Sequence, residues 1–349
     1  MRRRRLMKPA FSAASLLLGI GLIAAGPAFA QAGASYKGKQ VRMVIASGAG
    51  GGYDAYARVL SRHMPKHVPG NPNFVDQNMP GASGMAATNW GDKVAPKDGS
   101  VIVATYNALL LEPLFGNKSA HYDPRQLQWI GSIGKQQNIC MTWHTSPIKT
   151  IEQAKEREIV VAATGATGNA ATLPKIVNAL LGTKFKVVGG YETTASRLAV
   201  ERGEAEGICG LSWSTLKASN PEWIENKRMN VLLQTGDARQ AELPNVPLLR
   251  EKVQSADDKK LLDILDVPED MGRPFFMPPG TSKAQVAVMR KAFMDTMKDK
   301  DFLVEGKKAH LEVDPMTGED MQQRVTEAYQ APKAITDRMS ELMGRQTKG

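Results

Sequence analysis

From residue 40 onward, short apolar runs alternate with stretches in which apolar residues recur every three or four positions. The short runs predict β-strands, and the periodic stretches predict amphipathic helices. The first set of predicted elements comprises strands at 41–46, 73–77 and 101–105 and helices at 55–64 and from 83 to 91. Because strand, loop and helix follow one another repeatedly, we expect a parallel sheet with crossover helices.

Residues 128–143 predict one long strand that crosses to a second set of elements. This set comprises strands at 159–163, 185–188 and 205–210 and helices at 148–156, 175–181 and 196–202. A strand at 229–234 predicts the return crossing, and helices follow at 283–298, 302–308 and 318–343. The order predicts two α/β domains, with the second inserted into the first. We expect domain 1 at 36–137 and 232–349 and domain 2 at 138–231.

The N-terminus has a pattern typical of a secretory signal. Basic residues at 2–5 and 8 precede an apolar run at 13–25 and the small-residue pattern Ala28-Phe29-Ala30. We expect residues 1–30 to be a signal peptide that is cleaved after Ala30, which places the mature protein in the periplasm. The run is shorter than the roughly 20 residues of a spanning helix, so an uncleaved anchor is the lesser alternative. Gln31 follows the cut, so no cysteine is there to carry a lipid.

Removal of the signal peptide lowers the net positive charge of the chain. The chain of 349 residues has a formal charge of +10, and residues 1–30 hold five basic and no acidic residues, which leaves +5. No dense basic tract with interleaved aromatic residues remains, so nucleic acid is not an expected partner. Cys140 and Cys209 are the two cysteines. A single disulfide between them and two buried free thiols both fit an exported protein.

The most informative local pattern is the glycine-rich loop that follows the first predicted strand, Ser47-Gly48-Ala49-Gly50-Gly51-Gly52-Tyr53-Asp54. It is not a dinucleotide fingerprint, because Tyr53 stands where the last glycine is required, and it has no Gly-Lys-Ser/Thr sequence of a P-loop. A glycine loop that leads into a helix N-terminus presents backbone N–H groups and a partial positive charge to an anion. We therefore expect this loop to bind a carboxylate; a tight turn with Asp54 as a helix cap is the alternative.

Three further loops follow predicted strands, where ligands of open α/β sheets bind. The loop at 78–84 contains a Pro-Gly turn, with Ser83 able to cap the next helix. The loop at 164–169 contains two glycines, and Pro174 predicts a helix capped at Thr172. The loop at 188–194 places Tyr191 at a strand end, in the cleft or in the core. We expect the loops of domain 2 to face the opening loop across a cleft.

The sequence shows no recognised catalytic or metal-binding motif. It contains no G-x-S-x-G and no H-E-x-x-H pattern, and neither cysteine has a second cysteine at metal-ligand spacing. His63 and His67 are separated by Pro65, which ends the helix that would align them. We therefore expect no enzyme activity, no metal site and no cofactor.

These motifs together resemble a known family. Five motifs follow one another in the order seen in tripartite tricarboxylate transporter receptors of the Bug or TctC type. They are the glycine loop, Asn78-Met79-Pro80-Gly81-Ala82-Ser83-Gly84, Gly190-Tyr191-Glu192-Thr193, the 199–204 segment and Arg273-Pro274-Phe275-Phe276-Met277-Pro278-Pro279-Gly280-Thr281. The resemblance implies a class II-like periplasmic binding fold that closes on a small carboxylated solute. It also implies integral-membrane permease subunits as partners. We expect a monomer.

The resemblance also implies which residues bind the ligand. On domain 1 they are Ser47, Gly51, Gly52, Tyr53 and Asp54, supported by Ser83, and Tyr106 is a further candidate because its ring suits a flat solute. On domain 2 they are Ala166, Thr167, Gly168, Asn169 and Tyr191. The family's histidine near 169–172 is absent, and its Tyr-x-Gly pattern is Tyr191-Glu192-Thr193 here. Both departures concern the distal end of the ligand.

A transport receptor is the function that we expect from these features. A sensor that reports ligand to a membrane-bound signalling partner would have the same fold and site. An exported enzyme that uses Asp54 with a tyrosine on a carboxylic acid is a third hypothesis. The sequence leaves open which acid is bound, because a backbone anion site does not distinguish what is attached to the carboxylate.

Overall fold

A computed structural model describes residues 35–165, 168–191 and 193–344. The eleven strands in these ranges are β1 Gln40–Ile45, β2 Asn73–Asn78, β3 Val101–Ala104, β4 Gln128–Ser132, β5 Asn138–Trp143, β6 Ile159–Ala162, β7 Phe185–Val188, β8 Gly207–Ser212, β9 Met229–Gln234, β10 Pro274–Met277 and β11 Met316–Thr317. The expected signal peptide at 1–30 lies outside the described residues.

The helices of the described residues surround the strands. They are α1 Gly52–His63, α2 Met85–Lys93, α3 Asn169–Leu181, α4 Thr193–Glu201, α5 Trp213–Ser219, α6 Pro221–Glu225, α7 Leu249–Lys252, α8 Ala256–Asp270, α9 Lys283–Thr296, α10 Lys300–Lys308, α11 Gly318–Ala328 and α12 Lys333–Leu342. Short 3₁₀ helices occur at Met64–His67, Ala82–Gly84, Asn107–Leu110 and Gln153–Lys155. A search of the described residues finds no helix with the length and apolar character to cross a membrane.

The strands form two mixed sheets with matching topologies. The first has the order β11-β4-β10-β3-β1-β2, with β1 parallel to β2 and β3 and with β10 antiparallel to β3 and β4. The second has the order β7-β6-β8-β5-β9, with β6 parallel to β7 and β8 and with β5 antiparallel to β8 and β9. The strands of the second sheet all lie between β4 and β10 in the chain. The predicted fold, two α/β lobes with the second inserted into the first, is confirmed.

The chain returns to the first lobe after residue 232, which is the domain boundary that the sequence predicts. β9 pairs with β5 over its length, from Met229 opposite Trp143 to Gln234 opposite Ile139. Helix α8 follows and contributes Leu261 to a core cluster of the first lobe and Leu262 to a cluster of the second. The chain then enters β10 of the first sheet. Residues 133–137, 235–236 and 268–273 therefore join the two lobes, and we call them the crossing segments.

Four predicted elements differ from the structure, each for a local reason. The strand predicted at 128–143 is two strands, because the residues between them form hydrogen bonds with the crossing segment 268–273. Ile133 N–H donates to Arg273 O, and Gln136 N–H donates to Glu269 O. The helix at 148–156 is reduced to one 3₁₀ turn, because the Gln153 side chain accepts the Lys149 and Thr150 N–H groups.

The other two differences involve proline. The helix at 318–343 is two helices, since residues before Pro332 are biased away from helical geometry. The helix predicted to be capped at Thr172 begins instead at Asn169, and Pro174 lies inside it. Helix α3 tolerates Pro174 near its start, where only one internal hydrogen bond is lost. This earlier start moves a helix N-terminus into the 164–169 loop.

The two cysteines form a disulfide. Cys140 of β5 and Cys209 of β8 face one another in the antiparallel pair, and their sulfur atoms are bonded. Both are buried in the core of the second lobe. The bond closes a loop over a sequence separation of 69 residues. The alternative of free thiols, which the sequence left open, is not the one observed.

Candidate functional site

The first wall of the site is the loop between β1 and α1. Strand β1 is buried between β2 and β3, so its carboxyl end delivers Ser47 and the glycine loop to one edge of the sheet. Helix α1 begins at Gly52, and its N-cap residue Gly51 has no side chain to satisfy the first-turn N–H groups. The N–H groups of Gly52 and Tyr53 therefore have no acceptor within the helix. Together with the helix dipole they make a site for an anion.

Asp54 lies behind this wall and fixes its shape. Its carboxylate accepts hydrogen bonds from Gly50 N–H at 3.0 Å, Asn78 Nδ2 at 2.8 Å and Arg58 Nε at 2.9 Å. Burial acts to raise the pKa of Asp54, but the hydrogen bonds from Arg58, Asn78 and Gly50 outweigh it and hold the pKa below the usual range. The carboxylate is thus ionised and engaged within the protein. Asp54 is not among the residues that line the cleft.

The opposite wall is the N-terminus of α3 in the second lobe. Its N-cap is Gly168, again without a capping side chain, and Gly168 O accepts from Ala171 and Thr172. The N–H groups of Asn169 and Ala170 are therefore free of intrahelical acceptors. Strand β8 passes close to this turn at Gly210, which has φ +101° and where a Cβ would lie 2.5 Å from Asn169 C. Only glycine fits that position.

Two serine hydroxyls of the first lobe are buried at the cleft without a partner among the described residues. They are Ser47 Oγ, in a residue that is 2% exposed, and Ser83 Oγ. Ser83 adopts left-handed backbone angles, with φ 53°, in the 3₁₀ turn Ala82–Gly84. A Cβ on Gly165 would lie 2.7 Å from Ser83 Oγ, so the loops of the two lobes are in contact here. A buried hydroxyl without a partner is costly, and a ligand oxygen would satisfy it.

Tyr53 forms the floor between the walls. Its hydroxyl lies 2.7 Å from Gln136 Oε1 and 3.0 Å from Asn107 Oδ1, and it accepts the Asn107 N–H at 3.2 Å. Its ring packs edge-on against Tyr106, with centroids 4.4 Å apart. Burial raises the pKa of Tyr53, although Arg273 acts in the opposite direction. The phenol is therefore neutral at neutral pH and serves as a fixed hydrogen-bonding group.

The cleft has a volume of about 740 Å³, counting the space open to solvent. Its lining residues are Ser47, Gly51, Gly52, Tyr53, Ser83, Tyr106, Asn107, Ala108, Gln136, Thr164, Gly168, Asn169, Ala170, Ser196, Ile208, Gly210, Leu211, Ser212 and Thr215. None of these side chains is charged, and most of the exposed lining is apolar. The polar groups are concentrated at the helix N-termini and the serines. Such a cleft can hold an anionic group at one end and an apolar body beside it.

The structure brings eight of the predicted site residues together in this cleft, namely Ser47, Gly51, Gly52, Tyr53, Ser83, Tyr106, Gly168 and Asn169. Tyr191 lines an adjoining space with Tyr106 and Ser83. Ala166 and Thr167 lie outside the described residues. Ligand binding by each of these residues stays a prediction.

The sequence does not predict the residues that reach the cleft from the crossing segments, β8 and α5. Gln136, Ser212 and Thr215 line it, and Arg273 lies directly behind them. The only sequence signal was the Arg273-Pro274 pair within the family-like motif, which gave no reason to place the arginine near the site. Within the described ranges no group of three histidine, cysteine or acidic residues is placed to hold a metal ion.

Two curated proteins are similar to this chain. A UPF0065 protein of Bordetella bronchiseptica is 26% identical over 250 residues, which cover 69% of this chain and 71% of that protein. A UPF0065 protein of Cupriavidus necator is 26% identical over 351 residues, covering 97% of this chain and 98% of the relative. No family model matches the chain.

Solved structures are similar in fold over nearly their whole length. The periplasmic binding protein BugD superposes with a TM-score of 0.69 at 19% identity and covers 88% of this chain and 98% of its own. Rpa4515 of R. palustris with adipate superposes with a TM-score of 0.68 at 17% identity and covers 87% of this chain and 97% of its own. MatC of Rhodopseudomonas palustris with bound malate superposes with a TM-score of 0.64 at 17% identity and covers 87% of this chain and 99% of its own. The chain therefore has the fold of BugD and related periplasmic binding proteins, and the fold that the resemblance to Bug and TctC-type receptors implies is confirmed.

Proposed function

We propose that this protein is a periplasmic receptor that binds a small organic carboxylate and delivers it to a permease of the tripartite tricarboxylate type. The observation that carries the proposal is the pairing of two glycine-capped helix N-termini. One is α1 at Gly51 and Gly52, the other is α3 at Gly168 and Asn169, and they come from different lobes to one cleft. The unpartnered hydroxyls of Ser47 and Ser83 lie beside them.

A carboxylate can satisfy up to about four of these groups. Its two oxygens accept several hydrogen bonds, while the N–H and O–H groups of the walls can only be satisfied by acceptors or by water. Charge-assisted hydrogen bonds contribute roughly 1.5–3 kcal/mol each, so three or four supply most of the roughly 8 kcal/mol of a micromolar complex. The similar structures with adipate and with malate bound support this class of ligand.

Ligand binding rather than catalysis is the activity that these residues support. Asp54, which an enzyme hypothesis would use, has its carboxylate committed to Gly50, Asn78 and Arg58. Closure of two lobes over a ligand is a familiar motion of binding proteins that have crossing segments between domains. In the periplasm this closed form would be what the permease recognises.

Thermal unfolding of the purified mature protein, refolded to remove any retained solute, tests the proposal. The panel contains adipate, malate, hexanoate and benzoate, each paired with its uncharged amide, together with amines and sugars. At a ligand concentration of 100 times Kd, stabilisation reaches about 2.7 kcal/mol, which raises the midpoint by several degrees. We expect at least one acid to do so and its amide to do so far less.

A double variant provides the matched control for the site. Ser47→Ala with Ser83→Ala removes two unpartnered hydroxyls and should leave the unliganded midpoint unchanged or higher, because two buried unsatisfied groups are lost. The same variant should bind the acid more weakly. Stabilisation by amines or sugars, with no response to any acid, would refute carboxylate recognition. Cell fractionation tests the periplasmic location, and uptake of the acid in a permease deletion strain tests the transport role.

A further inference from the structure

Arg273, the first residue of the motif that leads into β10, is a buried charge with neutral neighbours. The residue is 1% exposed. Its guanidinium donates to Gln136 Oε1, to Gly272 O at 3.2 Å, and to three hydroxyl oxygens: Ser212 at 3.1 Å, Ser214 at 2.8 Å and Thr215 at 3.0 Å. All five of these acceptors are neutral.

Aromatic rings compensate part of this charge but do not neutralise it. The guanidinium carbon lies 4.7 Å from the ring centroids of both Tyr53 and Tyr56, which is a cation–π distance. Because burial raises the pKa of Tyr53, that phenol does not act as an anion. Arginine remains protonated in proteins, so the unliganded molecule keeps a positive charge in its interior. A buried ion that lacks an opposite charge is unfavourable, and an anionic ligand would relieve it.

Two of the three hydroxyls connect Arg273 to the cleft. Ser212 and Thr215 line it, whereas Ser214 does not. An arginine can only donate, so all three hydroxyl oxygens accept from its Nη2 group, which has two hydrogens to share among them. Ser212 Oγ and Ser214 Oγ also lie 3.1 Å apart, so one of these two hydroxyls donates to the other, whereas Thr215 keeps its hydroxyl hydrogen for another acceptor. At Thr215 the hydroxyl also lies against the α1 N-terminus, because a Cβ on Gly52 would be 2.5 Å from Thr215 Oγ1. The Thr215 hydroxyl is thereby placed beside the N-terminus of α1.

We infer that Arg273 is the counter-charge for the bound carboxylate, acting from behind the cleft through the hydroxyls of Ser212 and Thr215. It is a positioning residue, because the hydroxyls and not the guanidinium touch the ligand. Its charge favours the ionised acid over an uncharged ligand of the same shape. The inference rests on the proposed function and adds the source of the positive charge that the helix N-termini supply only in part.

Four variants test the inference. Arg273→Met removes the charge at similar length, and Arg273→Lys keeps the charge without the planar fork. Thr215→Val removes a cleft-lining hydroxyl with almost no change of shape, and Ser214→Ala removes the acceptor that does not line the cleft. Each is titrated by calorimetry with the acids of the panel above and with their amides, and the midpoint of the ligand-free form is measured.

We expect Arg273→Met to bind the acid roughly 10- to 100-fold more weakly and the amide about as well as the wild type does. The ligand-free midpoint measures the structural effect separately, since the variant removes a buried charge but also takes a donor from Gln136 Oε1 and Gly272 O. Arg273→Lys should retain a preference for the acid over its amide. Thr215→Val should weaken acid binding by about 3- to 10-fold and Ser214→Ala by less than about 2-fold.

The outcomes separate this inference from the function on which it rests. If the wild type binds no acid, both fail. If the wild type binds an acid and Arg273→Met or Thr215→Val keeps the full acid-to-amide ratio, only the counter-charge role fails. Should Arg273→Met not fold, the comparison of Thr215→Val with Ser214→Ala decides, and equal effects of these two variants would overturn the inference.

Discussion

Replacement of Glu269 by glutamine should make the stability of the protein less sensitive to pH. Glu269 is in the last turn of α8, 6% exposed, where the crossing segments meet. Its Oε1 accepts from Asn138 Nδ2 at 2.6 Å, and Thr235 Oγ1 lies 2.6 and 2.7 Å from its two oxygens. The Thr235 hydroxyl has one hydrogen and can donate to only one of the two carboxyl oxygens. A proton on the Glu269 carboxyl, donated to Thr235 Oγ1, accounts for the other short contact.

The charges that face Glu269 also favour its protonated form. Burial is the main cause that raises the pKa of Glu269, from 4.5 to about 8, and the carboxylates of Asp266 and Asp270 raise it further. The hydrogen bonds from Thr235 and Asn138 act in the opposite direction. The nearby cations are committed elsewhere, since Lys135 and Arg324 both pair with Asp270.

The sign and size of the effect follow from the two pKa values. Below pH 4.5 the carboxyl is protonated in the folded and unfolded chain, and it makes no difference to stability. Between 4.5 and about 8 the unfolded chain releases the proton while the folded protein keeps it, so the free energy of unfolding falls as the pH rises. At about 1.4 kcal/mol per pKa unit, the full loss above pH 8 is at most roughly 5 kcal/mol.

Urea unfolding of the wild type and Glu269→Gln from pH 4 to pH 9 measures this loss directly. We expect similar free energies of unfolding at pH 4 and an advantage of several kcal/mol for the variant at pH 9. Glu341→Gln, at an exposed position of α12, controls for the loss of a carboxylate and should show no such trend. A difference between wild type and Glu269→Gln that is the same at every pH would refute protonation of Glu269 in the fold.

Three further substitutions test other parts of the structure. Gly52→Ala places a Cβ 2.5 Å from Oγ1 and 2.8 Å from Cγ2 of the buried Thr215 side chain, so it should weaken acid binding more than about 10-fold in calorimetry and lower the thermal midpoint. Unchanged affinity and midpoint would contradict the close approach of the two lobes. The double variant Cys140→Ser with Cys209→Ser removes the disulfide, which closes a loop with a sequence separation of 69 residues, and should lower the free energy of unfolding by about 4 kcal/mol. An unchanged free energy of unfolding would argue against a stabilising contribution of the disulfide. Asp54→Asn should cost roughly 1–3 kcal/mol of stability and weaken the acid and its amide alike; a selective loss of the acid would assign Asp54 to the ligand.

The first wall of the site could be predicted because its determinants are local. The β1 strand, the glycines and the α1 start occupy consecutive residues, so the position of Gly51 and Gly52 follows from the sequence alone. The role of Asp54 did not follow, because it depends on Asn78, which β2 brings alongside β1. The sequence pattern places an acidic residue, Asp54, in the first turn of a helix, but it does not show which side chains Asp54 contacts.

The second wall was predicted less well because its determinants are tertiary. Pro174 was expected in the first helical turn, yet α3 begins at Asn169, next to the close approach of Gly210. No local signal indicates that Arg273 or Glu269 is buried. Partners from β8 and α5 surround Arg273, and partners from β5 and from Thr235, just after β9, surround Glu269. Sequence patterns of period two or 3.6 do not carry that information.

The absence of the family's histidine from the second wall does not remove its capacity to hold an anion. The N–H groups of Asn169 and Ala170 are supplied by the backbone of α3, and the hydroxyls of Ser212 and Thr215 are held by Arg273. Backbone and hydroxyl donors of this kind orient a carboxylate but are indifferent to the rest of the molecule. Discrimination among acids must therefore come from the apolar lining, where Ile208, Leu211 and the tyrosines set the shape of the space beside the anion. Under the proposed function, the backbone and one buried arginine would therefore recognise the charge of the ligand, and the apolar lining would recognise its body.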